Sequence, residues 1–400
     1  MSADSAVALA RLDLLCEVLS QPTAPFREKH ALACLTRALE SGAVPHFRDP
    51  IGNLVVGAGS RAEYARLLAR KDREPVRFFV AHTDHPGFHG TSWRAPDELE
   101  FKWHGGSPLK HFEGATVWLA TAEGSAGEGT VLEAKLTESG RALDRGVVRV
   151  PSELRTRFPR AAPSDIYGGF GFRAPWWIEG RLIHTKAADD LVGAFAIVST
   201  SLDLFAKRRR GKAPPFLALL SRAEEVGFIG TIGHLELGWL GRAKRSVLGV
   251  SLETSKTLPG AEIGQGPVVR LGDRMTTFDS GATRVFTGIA EKKLPGRHQR
   301  RIMDGGSCEA SALTAYGIPC VGISVPLGNY HNQSFQGGPD SRGPDGPAPE
   351  FVHLDDVQGL LTLCGALMEP GAAWDKPWMA RRQDFKKSLL AARALLKAGP

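Results

Sequence analysis

His82 and Asp84, Asp189 and Asp190, Glu224 and Glu225, Glu253, and His331 are imidazole or acidic side chains that stand just after an apolar run or at the start of a helical pattern. In an open α/β sheet, ligands bind outside the carboxyl ends of the strands, so residues at such ends converge however far apart they lie in sequence. Two imidazoles with several carboxylates suit a pair of divalent ions, because these are the usual non-thiol ligands and a carboxylate can bridge. The additional carboxylates also have uses: one as general base toward a metal-held water, another to orient an imidazole. Taken singly, each piece has a plainer account. Asp189 and Asp190 can cap the helix that starts there, Glu224 and Glu225 can open the helix after Gly227, and a lone His82 or His331 can be a satisfied interior histidine. The set points to chemistry where its members do not.

The elements that must hold these residues alternate along the chain. Residues 5–19 and 26–40 have apolar positions at helical spacing, and IGNLVVG follows as a short strand. VRFFVAHTD is a near-continuous apolar run with His82 at its end, the pattern of a buried parallel strand. From about 89 to 181 the texture changes to short alternating stretches (ATVWLA, GTVLEAKL, GVVRV) between Gly, Pro and charged turns. Helical and strand patterns then alternate again: helix 190–206, strand 216–221, helix 228–237, strand 246–252, helix 309–316, strand 318–325 and helix 354–369. This predicts an α/β protein, a three-layer αβα domain with a mostly parallel sheet built from 1–88 and 182–370. Residues 89–181 read as an inserted β-rich, barrel-like domain, and 371–400 as a C-terminal extension.

Composition narrows the class. With 42% apolar and 23% charged residues the chain has an ordinary globular balance, and no apolar run approaches a membrane span. Five scattered cysteines without a CxxC pair indicate neither a disulfide framework nor a structural zinc cluster, and together with an N-terminus unlike a signal peptide they predict the cytoplasm. The net charge of +7 raises the question of a nucleic-acid or surface partner. Most of it lies in 371–400, where seven basic side chains face two acidic ones, leaving +2 for the rest. Leu389, Leu390, Leu395 and Leu396 recur there at helical spacing, so 384–397 reads as a basic amphipathic helix. Two further basic stretches, 207–210 and 292–301, read as a helix end and a loop.

AHTDHPGF (81–88), KAADDLVGAFAIV (186–198), AEEVGFIGT (223–231), SLET (251–254) and GGSCEASALTAYGIPCVGISVPLGNYHN (305–332) resemble, in order and spacing, the glutamyl/tetrahedral aminopeptidase family of dinuclear zinc or cobalt metallopeptidases. That family has the usual forms AHxDEIGF, KALDDRVG, QEEVGxxGA and GGTDAG, and the resemblance covers about residues 12–370. It implies that His82 and Glu253 serve one metal, that Glu225 and His331 serve the other, and that Asp189 bridges them. It further implies Glu224 as the general base on the water between the ions, Asp84 hydrogen-bonded to His82, and Asp190 behind the ligands after a cis peptide. Zinc is the expected metal, with cobalt or manganese tolerated by the same ligands. The insertion would be a dimerisation domain of a homo-oligomer.

The implied activity is release of N-terminal residues from short peptides. The chain departs from the family forms at Leu191 (for Arg), His85 (for Glu), Cys308 (for Asp) and Glu253 (for Asp). The changes at 191, 253 and 308 keep open a hydrolase acting on a non-peptide amide, such as an N-acyl amino acid deacylase. A nucleic-acid or surface-binding protein with a vestigial metal site is the third reading, and neither a membrane nor a nucleic-acid partner is expected of the first two. Gly305, Gly306 and Ser307 are candidate substrate contacts, since glycines let a ligand approach the backbone, although they can also merely form a turn. Cys308, with no evident histidine partner, reads as a neutral buried thiol. His85, His89, His104 and His111 lie in or beside the insertion and receive no role.

Overall fold

The structure, a computed structural model, describes residues 3–207 and 215–397. The chain opens with α1 (Ala3–Ser20), α2 (Lys29–Ser41), β1 (His46–Arg48), β2 (Leu54–Val56), α3 (Arg61–Ala69) and β3 (Val76–His82). A barrel follows: β4 (Gly87–Ala95), β5 (Glu98–His104), β6 (Thr116–Thr121), β7 (Gly124–Leu136), β8 (Leu143–Arg149), the short α4 (Leu154–Arg157) and β9 (Tyr167–Phe170). After it come β10 (Trp176–Glu179), β11 (Leu182–Thr185), α5 (Leu191–Ala206), β12 (Phe216–Ser221), α6 (Ile229–Glu236) and β13 (Val247–Lys256). The rest comprises β14 (Val268–Asp273), α7 (Ser280–Lys293), β15 (Gln299–Met303), α8 (Glu309–Ala315), β16 (Cys320–Leu327), β17 (Glu350–His353), α9 (Leu354–Leu367) and α10 (Met379–Lys397).

Eight strands form one mixed sheet in the order β1-β2-β12-β3-β13-β16-β14-β15. Its centre is parallel, with β12 and β13 flanking β3 and β16 beyond β13. Every residue of β3 is buried, because alternate side chains feed two apolar layers. Phe79 and Ala81 face the layer that includes Leu191, Ile197, Phe286 and Leu360. Phe78 and Val80 face Tyr64, Leu68, Leu235 and Leu313 on the other side. This is the three-layer αβα arrangement expected from the alternation. The six strands β4-β5-β8-β7-β6-β9 close into an antiparallel barrel around Phe88, Phe101, Trp103, Leu119, Val148 and Phe170, and closure leaves no free sheet edge.

Several local expectations need correction. The stretch 292–301 is a loop only over 294–298: its first two residues end α7 and its last three begin β15. β15 is an edge strand with only Met303 buried, and its two consecutive arginines, one exposed and one half-buried, hide the strand pattern. The second helix begins at Lys29 rather than 26. The strand expected to end at 252 continues to Lys256, so Glu253 lies within β13 and not after it. β10, placed by the sequence reading inside the insertion, pairs instead with β11, which pairs with β17 in a separate three-stranded sheet. Residues 208–210 of the first basic run lie outside the described residues. Among the described residues no helix is long and apolar enough to cross a membrane.

Candidate metal centre

The centre assembles at the carboxyl end of the parallel strands. His82 is the last residue of β3, and its neighbour across the sheet is Ser221, the last residue of β12. Directly after β12, Glu224 and Glu225 sit on a tight loop in which Ala223 (φ 52°) and Gly227 (φ 111°) take left-handed backbone. Asp189 and Asp190, joined by a cis peptide, precede α5. Asp190 caps that helix, its Oδ1 accepting from the Gly193 N–H (3.1 Å) and from Thr254 Oγ1 (2.9 Å). The helix-capping account of Asp190 therefore holds alongside any role behind the ligands. His331 lies just past β16 in left-handed backbone (φ 55°).

The side chains converge in two groups that share Asp189. His82, Asp189 and Glu253 bring one ligand atom each within 4.8 Å of one another, and so do Asp189, Glu225 and His331. Asp189 Oδ1 faces His82 Nε2 at 3.5 Å, while its Oδ2 faces His331 Nε2 at 3.6 Å. One carboxylate thus turns an oxygen toward each imidazole, the disposition of a bridging ligand. His331 Nε2 also lies 3.1 Å from Glu225 Oε2, and Glu224 Oε2 lies 3.8 Å from His82 Nε2. His82 Nδ1 donates to the main-chain carbonyl of Asp84 (3.0 Å), which leaves the Nε2 lone pair to face the carboxylates.

The Asp84 carboxylate is 3.8 Å from His82 Nδ1 and does not orient that ring by a direct hydrogen bond, as the resemblance implied. Its two oxygens accept the backbone N–H groups of Glu224 (3.0 Å) and Glu225 (3.1 Å), fixing the loop that carries both. Glu350, which the sequence reading missed, does the same on the opposite side. Its Oε2 accepts from the N–H groups of Ala188 (2.7 Å) and Asp189 (3.1 Å), and its Oε1 from the His331 N–H (2.8 Å). His85, given no role, has Nδ1 2.8 Å from the Asp189 carbonyl and Nε2 3.2 Å from Asn332 Oδ1. The barrel contributes too. A Cβ built at Gly106 would lie 1.9 Å from His331 Nδ1, so only glycine fits at that position.

Burial sets the electrostatics. Asp84, Asp189, Asp190, Glu224, Glu253, Glu309 and Glu350 are all buried. Desolvation pushes the Glu224 and Glu253 carboxyls well above their usual range, with neighbouring carboxylates adding to it and His82 partly offsetting it at Glu224. Asp84 is pushed up to about 7 by burial against the opposing pull of His82. Burial disfavours the His331 imidazolium, but Glu225 and Asp189 outweigh it and raise its pKa to about 10. His82 is likewise raised well above its ordinary value, burial being overcome by Glu224, Asp189 and Asp84. The cluster therefore demands positive charge. It also has unmet coordination: Asp189 Oδ1, Glu225 Oε1, Glu253 Oε1 and His331 Nε2 are buried without a hydrogen-bond partner. Such orphans are costly unless something binds them, and one imidazole plus carboxylates on each side is a donor set that fits zinc, cobalt or manganese.

Gly305, Gly306 and Ser307 line a cleft beside Glu253, together with Lys256, Arg270 and Tyr330. Cys308 is buried below it, hydrogen-bonded to Asp273, with its thiol pKa raised well above normal by burial. His89 and His104 pack against each other in the barrel, ring centroids 4.4 Å apart and planes tilted by 42°, and neither belongs to the two imidazole groups.

Residues 173–336 match the family model described as M42 glutamyl aminopeptidase. The resemblance read from the motifs thus holds over the segment containing Asp189, Glu224, Glu225, Glu253 and His331, and it indicates a hydrolase of the aminopeptidase kind. The fold is similar to that of the TET1 peptidase of Pyrococcus horikoshii, which can assemble into a tetrahedron or a large octahedral shell. That likeness has a TM-score of 0.68 at 20% identity, over 90% of this chain and 100% of the other. An aminopeptidase of the archaeon Desulfurococcus kamchatkensis gives a TM-score of 0.69 at 18% identity, over 91% and 96%. An M18-family aminopeptidase of Thermotoga maritima gives 0.63 at 13% identity, over 92% and 97%. At these identities the likeness establishes the fold. No curated protein sequence matches the chain.

Proposed function

We propose that this chain is a metal-dependent aminopeptidase that removes N-terminal residues from short peptides. The observation that carries the reading is the Asp189 carboxylate, which turns one oxygen toward each of two imidazole-carboxylate groups while Glu224 stands beside them. His82, Asp189 and Glu253 would hold one ion and Asp189, Glu225 and His331 the other, with zinc the expected metal. Such a pair supplies a water acidified toward neutrality and an electrophilic contact for the scissile carbonyl.

The chain's own residues do the rest. Glu224 takes the proton of the attacking water on its carboxylate and delivers it to the leaving amine. Asp84 keeps Glu224 and Glu225 in register by gripping their backbone N–H groups. Glu350 does so for Asp189 and His331, and the buried surroundings exclude bulk water. Gly305, Gly306 and Ser307 form the wall along which substrate lies.

Five cysteines, all unpaired and buried, favour a reducing compartment such as the cytoplasm. We assign the inserted barrel, β4 to β9, to subunit pairing within a homo-oligomer, in keeping with the assembling relative above. A second reading has one observation in its favour: Arg270 and Lys256 line the cleft beside Glu253 and suit a substrate with a free carboxylate. An N-acyl amino acid carries one.

The test is hydrolysis by metal-reconstituted protein of a library of free-amine peptides alongside N-acylated amino acids. Release of N-terminal residues that stops on chelation and returns with metal is expected. Cleavage of the N-acyl compounds alone would replace the first reading with the second.

A further inference from the structure

One buried carboxylate belongs to neither imidazole group. Glu309 is the first residue of α8, fully buried, and stands where the GGTDAG form has Ala. Its Oε1 accepts from Ser221 Oγ (2.9 Å) at the end of β12, which fixes the side chain under the centre. Its Oε2 is buried with no hydrogen-bond partner. Ligand atoms of Glu309, Glu224 and Glu253 all lie within 4.8 Å of one another. Glu253 Oε1, on the same corner, is likewise buried and unpartnered. Arg270, the buried cation on this side, places its hydrogen bond on Ser255 Oγ (3.5 Å) and leaves its Nε unpaired. The orphaned oxygens at this corner thus carry the same signature as those of Asp189 and Glu225, without an imidazole among them.

We propose that Glu309, Glu224 and Glu253 form a third cation position, all-oxygen in its protein ligands and adjoining the two imidazole-containing ones. Carboxylates with water suit a hard divalent ion such as manganese or magnesium, whereas the imidazole groups favour zinc. Packing three carboxylates at this spacing out of water is costly unless a cation joins them. The position shares Glu253 with the His82 group and takes one oxygen of Glu224. Occupancy by a hard ion therefore ties up the residue assigned as general base, making the free concentration of that ion a regulator of the centre. The regulatory consequence rests on the function proposed above, whereas the binding site does not.

The test is a manganese titration of the zinc-saturated full chain, with free manganese read from its electron paramagnetic resonance signal and zinc counted by mass spectrometry. Zinc outranks manganese at imidazole sites, so added manganese reports the all-oxygen position. The native protein is expected to withhold one manganese per chain from the free signal, and Glu309→Gln, which keeps an oxygen for Ser221, none. Three zinc ions in the native chain against two in Glu309→Gln would support the same site. A free signal that rises from the first addition to a native protein holding two zinc ions overturns the proposal, and so does equal uptake by Glu309→Gln. A zinc content below two would count against the metal-centre reading, while the difference between native chain and variant would still decide the role of Glu309.

Discussion

The carboxylates around Asp189 and the basic side chains of α10 are both dense in charge, yet they are handled in opposite ways. In the centre the charges are buried and held by directed donors: two backbone N–H groups on Asp84 and three on Glu350. In α10 no residue is buried, and Phe385, Leu389, Leu395 and Leu396 are exposed along with the basic groups. Burying an unpaired charge costs several kcal/mol, of order 3–5 when one partner is removed, whereas a solvated surface charge costs almost nothing. The contrast teaches where sequence charge signifies chemistry. The exposed basic excess of the C-terminal segment is structurally cheap, while the buried carboxylates of the centre are expensive and therefore informative.

The sharpest way to break that contrast is Asp189→Asn. With the shared carboxylate neutralised, both imidazole groups lose a ligand, and the purified variant is expected to carry neither metal and no activity. Two metals retained in elemental analysis would mean that Asp189 is only a helix-start residue. Glu224→Gln comes next. The amide preserves volume but accepts no proton, so turnover should fall by about 10²–10⁴ with the two ions of the imidazole groups retained. Loss of an ion from either imidazole group in this variant would move Glu224 from base to ligand of that pair.

Glu350→Gln tests a residue whose weight was invisible in the sequence. The amide can still accept, but its NH₂ would confront one of the three N–H groups now bound, so metal affinity should drop by about 10–100-fold. Unchanged affinity in a competition titration would reduce Glu350 to a fold residue. Its invisibility has a physical cause: Glu350 opens a short strand after a Gly/Pro-rich loop and acts on Asp189 from 161 positions away. Glu309 was overlooked because an acidic first residue of a helix is ordinary, and Gly106 because a glycine in a β-rich segment looks like any turn. His82, Asp189, Glu225 and Glu253 stood out in the sequence only as a set, because acidic and imidazole side chains recur at the ends of strand patterns and the starts of helical ones. The parallel core was legible because its strands are near-continuous apolar runs, as in β3, where every position is buried. The outer strands β14 and β15 were not: β15 has one buried residue, and the arginines of its sequence masked the alternation.

A smaller effect separates the two regions by pH. In the metal-free centre His331 is raised to about 10, so at neutral pH it carries a proton that a metal must displace. The sign follows: raising the pH toward 10 removes that competitor, and apparent affinity should climb about tenfold per unit for this one proton. A chelator competition series between about pH 6 and 8 checks it. A flat profile would mean that neither of the raised imidazoles, His331 and His82, is a ligand.

The smallest effect is expected at the other pole. Truncation before Met379 removes α10, whose residues are all at least partly exposed, and exposed residues away from a core or network typically matter within about 0.5 kcal/mol each. The truncated chain should bind the same metal with the same affinity and unfold within a few degrees of the native one. Its apolar stripe is another matter, because Phe385, Leu389 and Leu396 flanked by arginine and lysine form a face that water does not favour. If a neighbouring subunit covers that face, truncation changes the sedimentation of the assembly while leaving each centre intact. A truncated protein that instead loses metal would tie the basic helix to the acidic centre and erase the distinction between cheap and costly charge.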